Sequence, residues 1–298
     1  MARSAARDLH CIRDFIRWGA SRFAEAELCY GHGTDNPIDE AMALVLHAVS
    51  MQPDLPQELL LARLTAEEKE RILLLFSRRI TQRVPAAYLT GQAWFAGLQF
   101  RVDNRVLVPR SPIAELLEAG FQPWLDGDGV TRVLDVGTGS GCIAIACAAY
   151  LPDAKVDAVD ISADALEVAQ LNVDEHGVGD RVQLFISDGL DAARGPYDLI
   201  VSNPPYVDAH DMDSLAQEFR HEPALGLAAG EDGLDVVVGL LENAGEHLSD
   251  SGVLIVEVGA SRPALVARYP LLPFLWLEFE RGGDNVFLLG ADDLRQPR

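Results

Sequence analysis

Val133-Leu134-Asp135-Val136-Gly137-Thr138-Gly139-Ser140-Gly141 is the stretch on which the fold turns. Val133 to Val136 reads as a short buried strand, and helical spacing resumes at about Cys142. Between them, glycine lets the backbone bend sharply and lets a ligand approach it closely. Strand, glycine loop and helix in this order present a nucleotide-like ligand at the carboxyl end of the first strand of a doubly wound sheet. A dinucleotide fingerprint would want glycine at 137, 139 and 142. Position 142 is Cys, and the third glycine falls at 141. The pattern Asp-x-Gly-x-Gly-x-Gly argues against a pyrophosphate ligand and for S-adenosylmethionine, which has no phosphate. Asp135, Gly137, Thr138, Gly139, Ser140 and Gly141 are the expected cofactor cradle.

Downstream, strands and helices alternate. The periodicity predicts strands at 132–136, 156–160, 182–186, 198–202, 253–258, 274–279 and 285–289, with helices near 141–150, 162–176 and 233–248. Such alternation means a mostly parallel sheet with helices on both faces, the last two strands forming an antiparallel pair at one edge. Asp160 ends the second of these strands, where an acid can accept both ribose hydroxyls. Asp188 ends the third and is expected near an adenine edge. The fourth strand runs into Asn203-Pro204-Pro205-Tyr206. Each proline fixes φ near −65° and lacks an N–H, so carbonyls here face a ligand with few competing donors. Asn203 adds an amide oxygen and an NH2 group. This corner suits a flat group with two N–H donors, either a carboxamide or an exocyclic amino group.

Upstream, residues 1–85 read as a helical bundle. Leu9, Ile12, Phe15 and Ile16 recur at helical spacing, Asp39 to Val49 forms a second apolar helix, and Thr65-Ala66-Glu67-Glu68 is a capping box opening a third. The bundle shows no catalytic motif and is expected to dock a partner. Residues 86–110 read as a β-hairpin linker, with Phe100 and Val102 opposite Val106 and Val108 across Asp103-Asn104. The catalytic domain is expected over 111–298.

The chain has 298 residues, 49% hydrophobic, and a net charge of −22 that is unevenly spread. Residues 96–298 hold 13 Lys/Arg against 34 Asp/Glu. A body this acidic repels nucleic-acid phosphates and attracts basic partners. The segment from Asp208 to Asp235 carries Asp208, Asp211, Asp213, Glu218, Glu222, Glu231, Asp232 and Asp235, and is expected to line a substrate groove and steer encounter. Cys11, Cys29, Cys142 and Cys147 form no C-x-x-C pair and read as reduced thiols. The N-terminus does not read as a signal peptide and no apolar run reaches ~18 residues. A soluble, cytoplasmic protein is expected. The seven histidines show no metal-ligand spacing, so no metal is expected.

Taken together, the glycine loop, Asp160, Asp188 and Asn203-Pro204-Pro205-Tyr206 resemble a class I S-adenosylmethionine-dependent methyltransferase with a Rossmann-like, seven-stranded sheet. The Asn-Pro-Pro-Tyr motif is shared by enzymes that methylate exocyclic amino groups of nucleic-acid bases and by the HemK-like protein N5-glutamine methyltransferases. The rest of the chain is similar to the second group: an N-terminal helical bundle, a hairpin linker ending here in Val106 to Arg110, and Glu222-Pro223 through Gly230 and Gly233 beyond the catalytic turn. Release-factor enzymes of the group usually continue Pro-Arg with Pro, Asp, Thr and Glu. Ser111-Pro112-Ile113-Ala114-Glu115 departs from that. With Gln217 to Gly230 and Gly282 to Phe287, it resembles the members acting on large-subunit ribosomal protein three.

That resemblance implies Asn203 and Pro204 as catalytic residues, with Pro205, Tyr206, Arg110 and Glu222 binding substrate and Tyr206 walling the pocket. It implies S-adenosyl-L-methionine as cofactor, with Asn203 also among the residues that bind it, and a basic ribosomal protein as partner. Release-factor methylation and base methylation of nucleic acid are the alternatives, and the acidic charge opposes the latter. A nicotinamide dehydrogenase is disfavoured by Cys142.

Overall fold

The computed structural model describes residues 2–126, 129–283 and 285–295. Asp284, part of the motif expected over 282–287, lies outside them. The chain divides into two compact units: Met1–Gln92 with Ala216–His221, and Ala93–Leu215 with Glu222–Arg298.

The first unit is helical. α1 (Ala2–Asp8) stops short of α2 (Ile12–Glu25), whereas the apolar spacing predicted one helix from Leu9. The reason is a cap. The Asp14 carboxylate accepts from His10 N at 2.9 Å and Cys11 N at 3.1 Å, so a side chain satisfies these donors. α3 (Pro37–Ala48) starts from an Asn36 cap with proline at its first position. α4 (Ala66–Gln82) carries the expected Thr65/Glu68 capping box. α5 (Ala86–Thr90) lies where the sequence predicted the start of the linker. Phe15, Phe23, Leu44, Ile72 and Phe76 form the core. Gly19 is required there, since a Cβ would stand 2.4 Å from the Phe76 ring.

Arg79 is wholly buried in this unit. Its guanidinium donates to Glu40 at 2.6 Å, Glu218 at 3.2 Å and Cys29 O at 2.7 Å. Glu218 also accepts from Cys29 N at 3.0 Å. Burial pushes the Glu218 carboxyl up, but the Cys29 N–H and Arg79 outweigh it and hold the group below its usual range. Glu218 is therefore not the free, steering charge that the sequence suggested. It is a buried anchor with its charge already spent on arginine.

In the second unit, β1 (Gln92–Phe95) and β2 (Leu98–Arg101) form a two-stranded hairpin. Its turn is Ala96-Gly97, both at positive φ, not Asp103-Asn104. A turn does form there, with Val106 N donating to Asp103 O at 3.1 Å, but no strand follows it. Val102, Val106 and Val108 are buried outside any strand, so their alternation reflects burial rather than pairing. α6 (Ile113–Glu118) follows.

The main sheet holds β3 (Arg132–Val136), β4 (Lys155–Asp160), β5 (Val182–Ile186), β6 (Tyr197–Ser202), β7 (Leu248–Glu257), β8 (Leu275–Leu277) and β9 (Val286–Gly290), in the order 5-4-3-6-7-9-8. Neighbours from β5 to β7 are parallel, and β9 runs antiparallel to both β7 and β8. α7 (Cys142–Tyr150) and α8 (Ala163–His176) pack with α6 against Val133, Val156, Leu199 and Ile255 on one face. α9 (Ala209–Ser214) is a short turn of helix. α10 (Asp235–His247), α11 (Arg262–Arg268) and α12 (Ala291–Arg295) cover Leu134, Ile200 and Leu254 on the other. Because both faces are covered, the strands are nearly continuous apolar runs.

Candidate active site

The carboxyl ends of β3, β4 and β6 meet at the switch point of the sheet, where ligands of such folds bind. A cavity of about 930 Å³ opens there. Its walls include Gly137, Thr138, Gly139, Ser140, Asp160, Asp188, Asn203, Pro204, Pro205 and Arg110. The structure thus brings together most of the residues singled out from the sequence.

Gly137, Gly139 and Gly141 all have positive φ, which only glycine adopts without strain. Gly137 N and Thr138 N donate to Val159 O at 2.9 and 3.0 Å, seating the loop on β4. Gly141 lies off the cavity wall, where its missing side chain lets α7 approach Ala169: a Cβ would stand 3.2 Å from the Ala169 Cβ.

Asp135 does not reach the cavity, contrary to expectation. It is fully buried beneath the loop, where one oxygen accepts from Thr138 Oγ1 at 2.6 Å and from Ala144 N at 3.1 Å. Gly141 has no side chain to cap α7, so a carboxyl from the preceding strand does so. Burial raises the Asp135 carboxyl to about 7, the two hydrogen bonds pulling the other way. Its role is to pin the loop to the helix.

Asp160 accepts from Gly139 N and Ser162 N, each at 2.9 Å, one on each oxygen. Those bonds aim the carboxylate, and each oxygen keeps a lone pair for a hydroxyl on the cavity side. Burial raises its carboxyl. Ile161 was missed from the sequence. It is 51% exposed and lies on the cavity wall directly after Asp160, offering an apolar surface to a planar ring. An apolar residue following an acidic strand end was the available signal. Phe95 of the hairpin also lines the cavity, and no local pattern predicts that.

Asn203 carries the most informative atom of the site. Its Oδ1 is buried and has no hydrogen-bond partner among the described residues. Leaving a buried acceptor unmade costs about 1–3 kcal/mol, so such an atom marks a place for a donor from outside. Ser202, one residue earlier, donates to Val136 O at 2.7 Å, and Pro204 is buried.

Tyr206 and Glu222, expected to bind substrate, lie off the cavity lining. The Tyr206 ring packs on Gly259, where a Cβ would come within 2.4 Å of it. Its phenol is raised by burial and faces Glu257. Glu222 has a fully buried side chain and grips Arg110 through two bonds of 2.7 and 2.8 Å, while also accepting from Val108 N at 3.0 Å. Arg110 lines the cavity and Glu222 holds it there. Asp208 caps α9 through Asp211 N at 2.8 Å, and Asp232 faces Arg268 at 3.3 Å. Asp211, Asp213, Glu231 and Asp235 are exposed.

The four cysteines are free thiols, and burial pushes Cys142 up to about 12 and Cys147 well above its ordinary value. Among the described residues no group of His, Cys, Asp and Glu side chains could hold a metal, and no helix is long and apolar enough to cross a membrane.

The sequence matches the methyltransferase small domain family over residues 121–232. It is 53% identical over 295 residues to the ribosomal protein uL3 glutamine methyltransferase of Xanthomonas campestris pv. campestris, covering 99% of this chain and 96% of that one. The proteins of the same description from Neisseria gonorrhoeae and Neisseria meningitidis serogroup B are 50% and 49% identical over 295 residues. Each covers 99% of this chain, and 99% and 97% of the respective relative.

Proposed function

The chain belongs to the ribosomal protein uL3 glutamine methyltransferases, and on that premise we propose that it transfers a methyl group from S-adenosyl-L-methionine to the side-chain amide nitrogen of a glutamine in uL3. The observation that carries the site assignment is the buried, unpartnered Oδ1 of Asn203 on the cavity wall.

The cofactor, when bound, supplies an electrophilic methyl group on a sulfonium. The residues present fit such a group: Gly137 and Gly139, at positive φ on the cavity wall, leave room for close backbone approach, and Asp160 presents carboxylate lone pairs to a ribose. Asp188 and Ile161 lie on the same cavity wall and would contact the base. No phosphate-binding cation stands in the loop, in keeping with a ligand that has none.

The acceptor amide is a poor nucleophile, because its lone pair is delocalised into the carbonyl. Asn203 Oδ1 and the Pro204 carbonyl accept its two N–H bonds. That fixes the plane of the amide and favours the positive charge that develops on nitrogen as the bond to carbon forms. The nitrogen then gives up one proton to solvent. Pro205 and Arg110 border the acceptor side, with Glu222 orienting Arg110. The acidic charge of residues 96–298 suits a basic ribosomal-protein substrate, and a cytoplasmic setting goes with that substrate.

The test is incubation with labelled cofactor and, separately, uL3, release factors and oligonucleotides, followed by mass mapping of modified peptides. One methyl group on a uL3 glutamine is expected. Label on release factor or oligonucleotide alone would overturn the substrate assignment.

A further inference from the structure

Glu257, the last residue of β7, is 8% exposed and has no part in the reaction as described. Its carboxylate accepts from Ser111 Oγ at 2.6 Å, and the Tyr206 hydroxyl faces it. These two partners come from different walls. Ser111 lines the cavity at the end of the segment that carries Pro109 and Arg110. Tyr206 directly follows Pro205 of the catalytic corner, which also lines the cavity.

Tyr206 is held on every side that the structure describes. Its ring lies on Gly259, and its carbonyl accepts from Ser261 Oγ at 2.9 Å. Gly233 leaves room for that contact, since a Cβ there would stand 2.5 Å from Tyr206 O. The hydroxyl is thus the far end of a held ring, and it faces Glu257. Ser111 is equally committed, its Oγ also accepting from Ile113 N at 3.2 Å.

We propose that Glu257 is the positioning residue of the acceptor half of the cavity: its buried carboxylate ties the Ser111 wall to the Tyr206 side of the catalytic corner. It thereby sets the gap into which the planar amide must fit. Glu257 reaches the substrate only through these two hydroxyls. This rests on the assignment of Asn203 and Pro204 as the acceptor corner. A carboxylate is suited to the task because it accepts two strong O–H bonds at once, in fixed directions. Buried from water, it holds its donors without competition from solvent. The cofactor half, built from 137–141 and Asp160, makes no hydrogen bond to Glu257.

The experiment measures kcat and KM for uL3 and cofactor affinity in Glu257→Ala, Glu257→Gln and Tyr206→Phe, singly and with Tyr206→Phe in the Glu257→Ala background. Losing a hydrogen bond to a charged partner predicts that Glu257→Ala and Tyr206→Phe each lower kcat/KM for uL3 by about tenfold or more, with cofactor Kd unchanged. Glu257→Gln retains an oxygen with two lone pairs and restores most of the activity. In the Glu257→Ala background, Tyr206→Phe should cost little more, because its partner is already gone. Equal cost of Tyr206→Phe in both backgrounds would overturn the tie, as would cofactor Kd weakening in step with activity. Should Glu257→Ala fail to fold, Ser111→Ala and Tyr206→Phe form the same cycle, and strict additivity would overturn the proposal. Wild-type turnover on uL3 tests the acceptor corner independently of these ratios.

Discussion

The Ser202 hydroxyl donates a 2.7 Å hydrogen bond to the carbonyl oxygen of Val136. Ser202 precedes the catalytic corner, and Val136 precedes the glycine loop. Their strands pair in parallel with these two residues in register. One hydroxyl thus staples the acceptor half of the site to the cofactor half at the last rung of the ladder. Ser202→Ala leaves a buried carbonyl short of a donor, which costs about 1–3 kcal/mol. The expected outcome is a lowered Tm together with a several-fold loss of kcat at saturating cofactor and substrate. A variant less stable but unchanged in kcat would show that the staple serves folding alone.

Replacing Asn203 with Ala removes the buried acceptor oxygen while leaving the loop and Asp160 untouched. Turnover should fall by at least about two orders of magnitude, the usual cost of deleting an aimed polar group at a reacting centre. Calorimetry should show cofactor affinity within about twofold of wild type. Near-normal methylation by this variant would sink the assignment.

Asp135 makes a prediction about pH. Its folded carboxyl is raised to about 7, against about 3.9 in an unfolded chain. Between those values the native state keeps a proton that the unfolded state has lost, so stability falls as pH rises through the window. The loss amounts to a few kcal/mol at most, at about 1.4 kcal/mol per unit. Asp135→Asn is neutral throughout and should flatten this slope in denaturant titrations run from pH 4 to pH 8. A slope unchanged in the variant would place the effect on other groups.

Arg79 neutralises two buried carboxylates in the helical unit, Glu40 and Glu218. Removing one partner of such a cluster leaves uncompensated buried charge and costs about 3–5 kcal/mol. Arg79→Ala should therefore lose most of its denaturant resistance, whereas Arg79→Lys should recover only part of it, lacking the forked geometry. Tm values of the two variants check this order.

Asp211, Asp213, Glu231 and Asp235 are exposed acids of the segment beyond the catalytic corner, beside Asp232, which faces Arg268. Their attraction for a basic substrate is screened at high ionic strength. Raising salt from 50 to 300 mM should raise KM for uL3 more than it lowers kcat. Converting these four to the corresponding amides should remove most of that salt dependence. A salt-insensitive KM in the wild type would dispose of the steering idea.

Local chemistry was written plainly in the amino-acid order. Period, proline, glycine and caps act over a few residues, so the seven strands, the Thr65–Glu68 box, the glycine loop and the Asn203-Pro204 corner could all be read without coordinates. The hairpin was misplaced because Val102 to Val108 are buried singly, and burial alone mimics strand alternation. What only the tertiary structure decided were partners far apart in the chain. Glu222 meets Arg110 across 112 positions and Glu257 meets Ser111 across 146. Asp135 caps a helix rather than facing a ligand, and Glu218 is buried with Arg79 rather than free in solution. A buried carboxylate must find donors wherever the fold supplies them, and a chain's local pattern carries no record of which ones those will be.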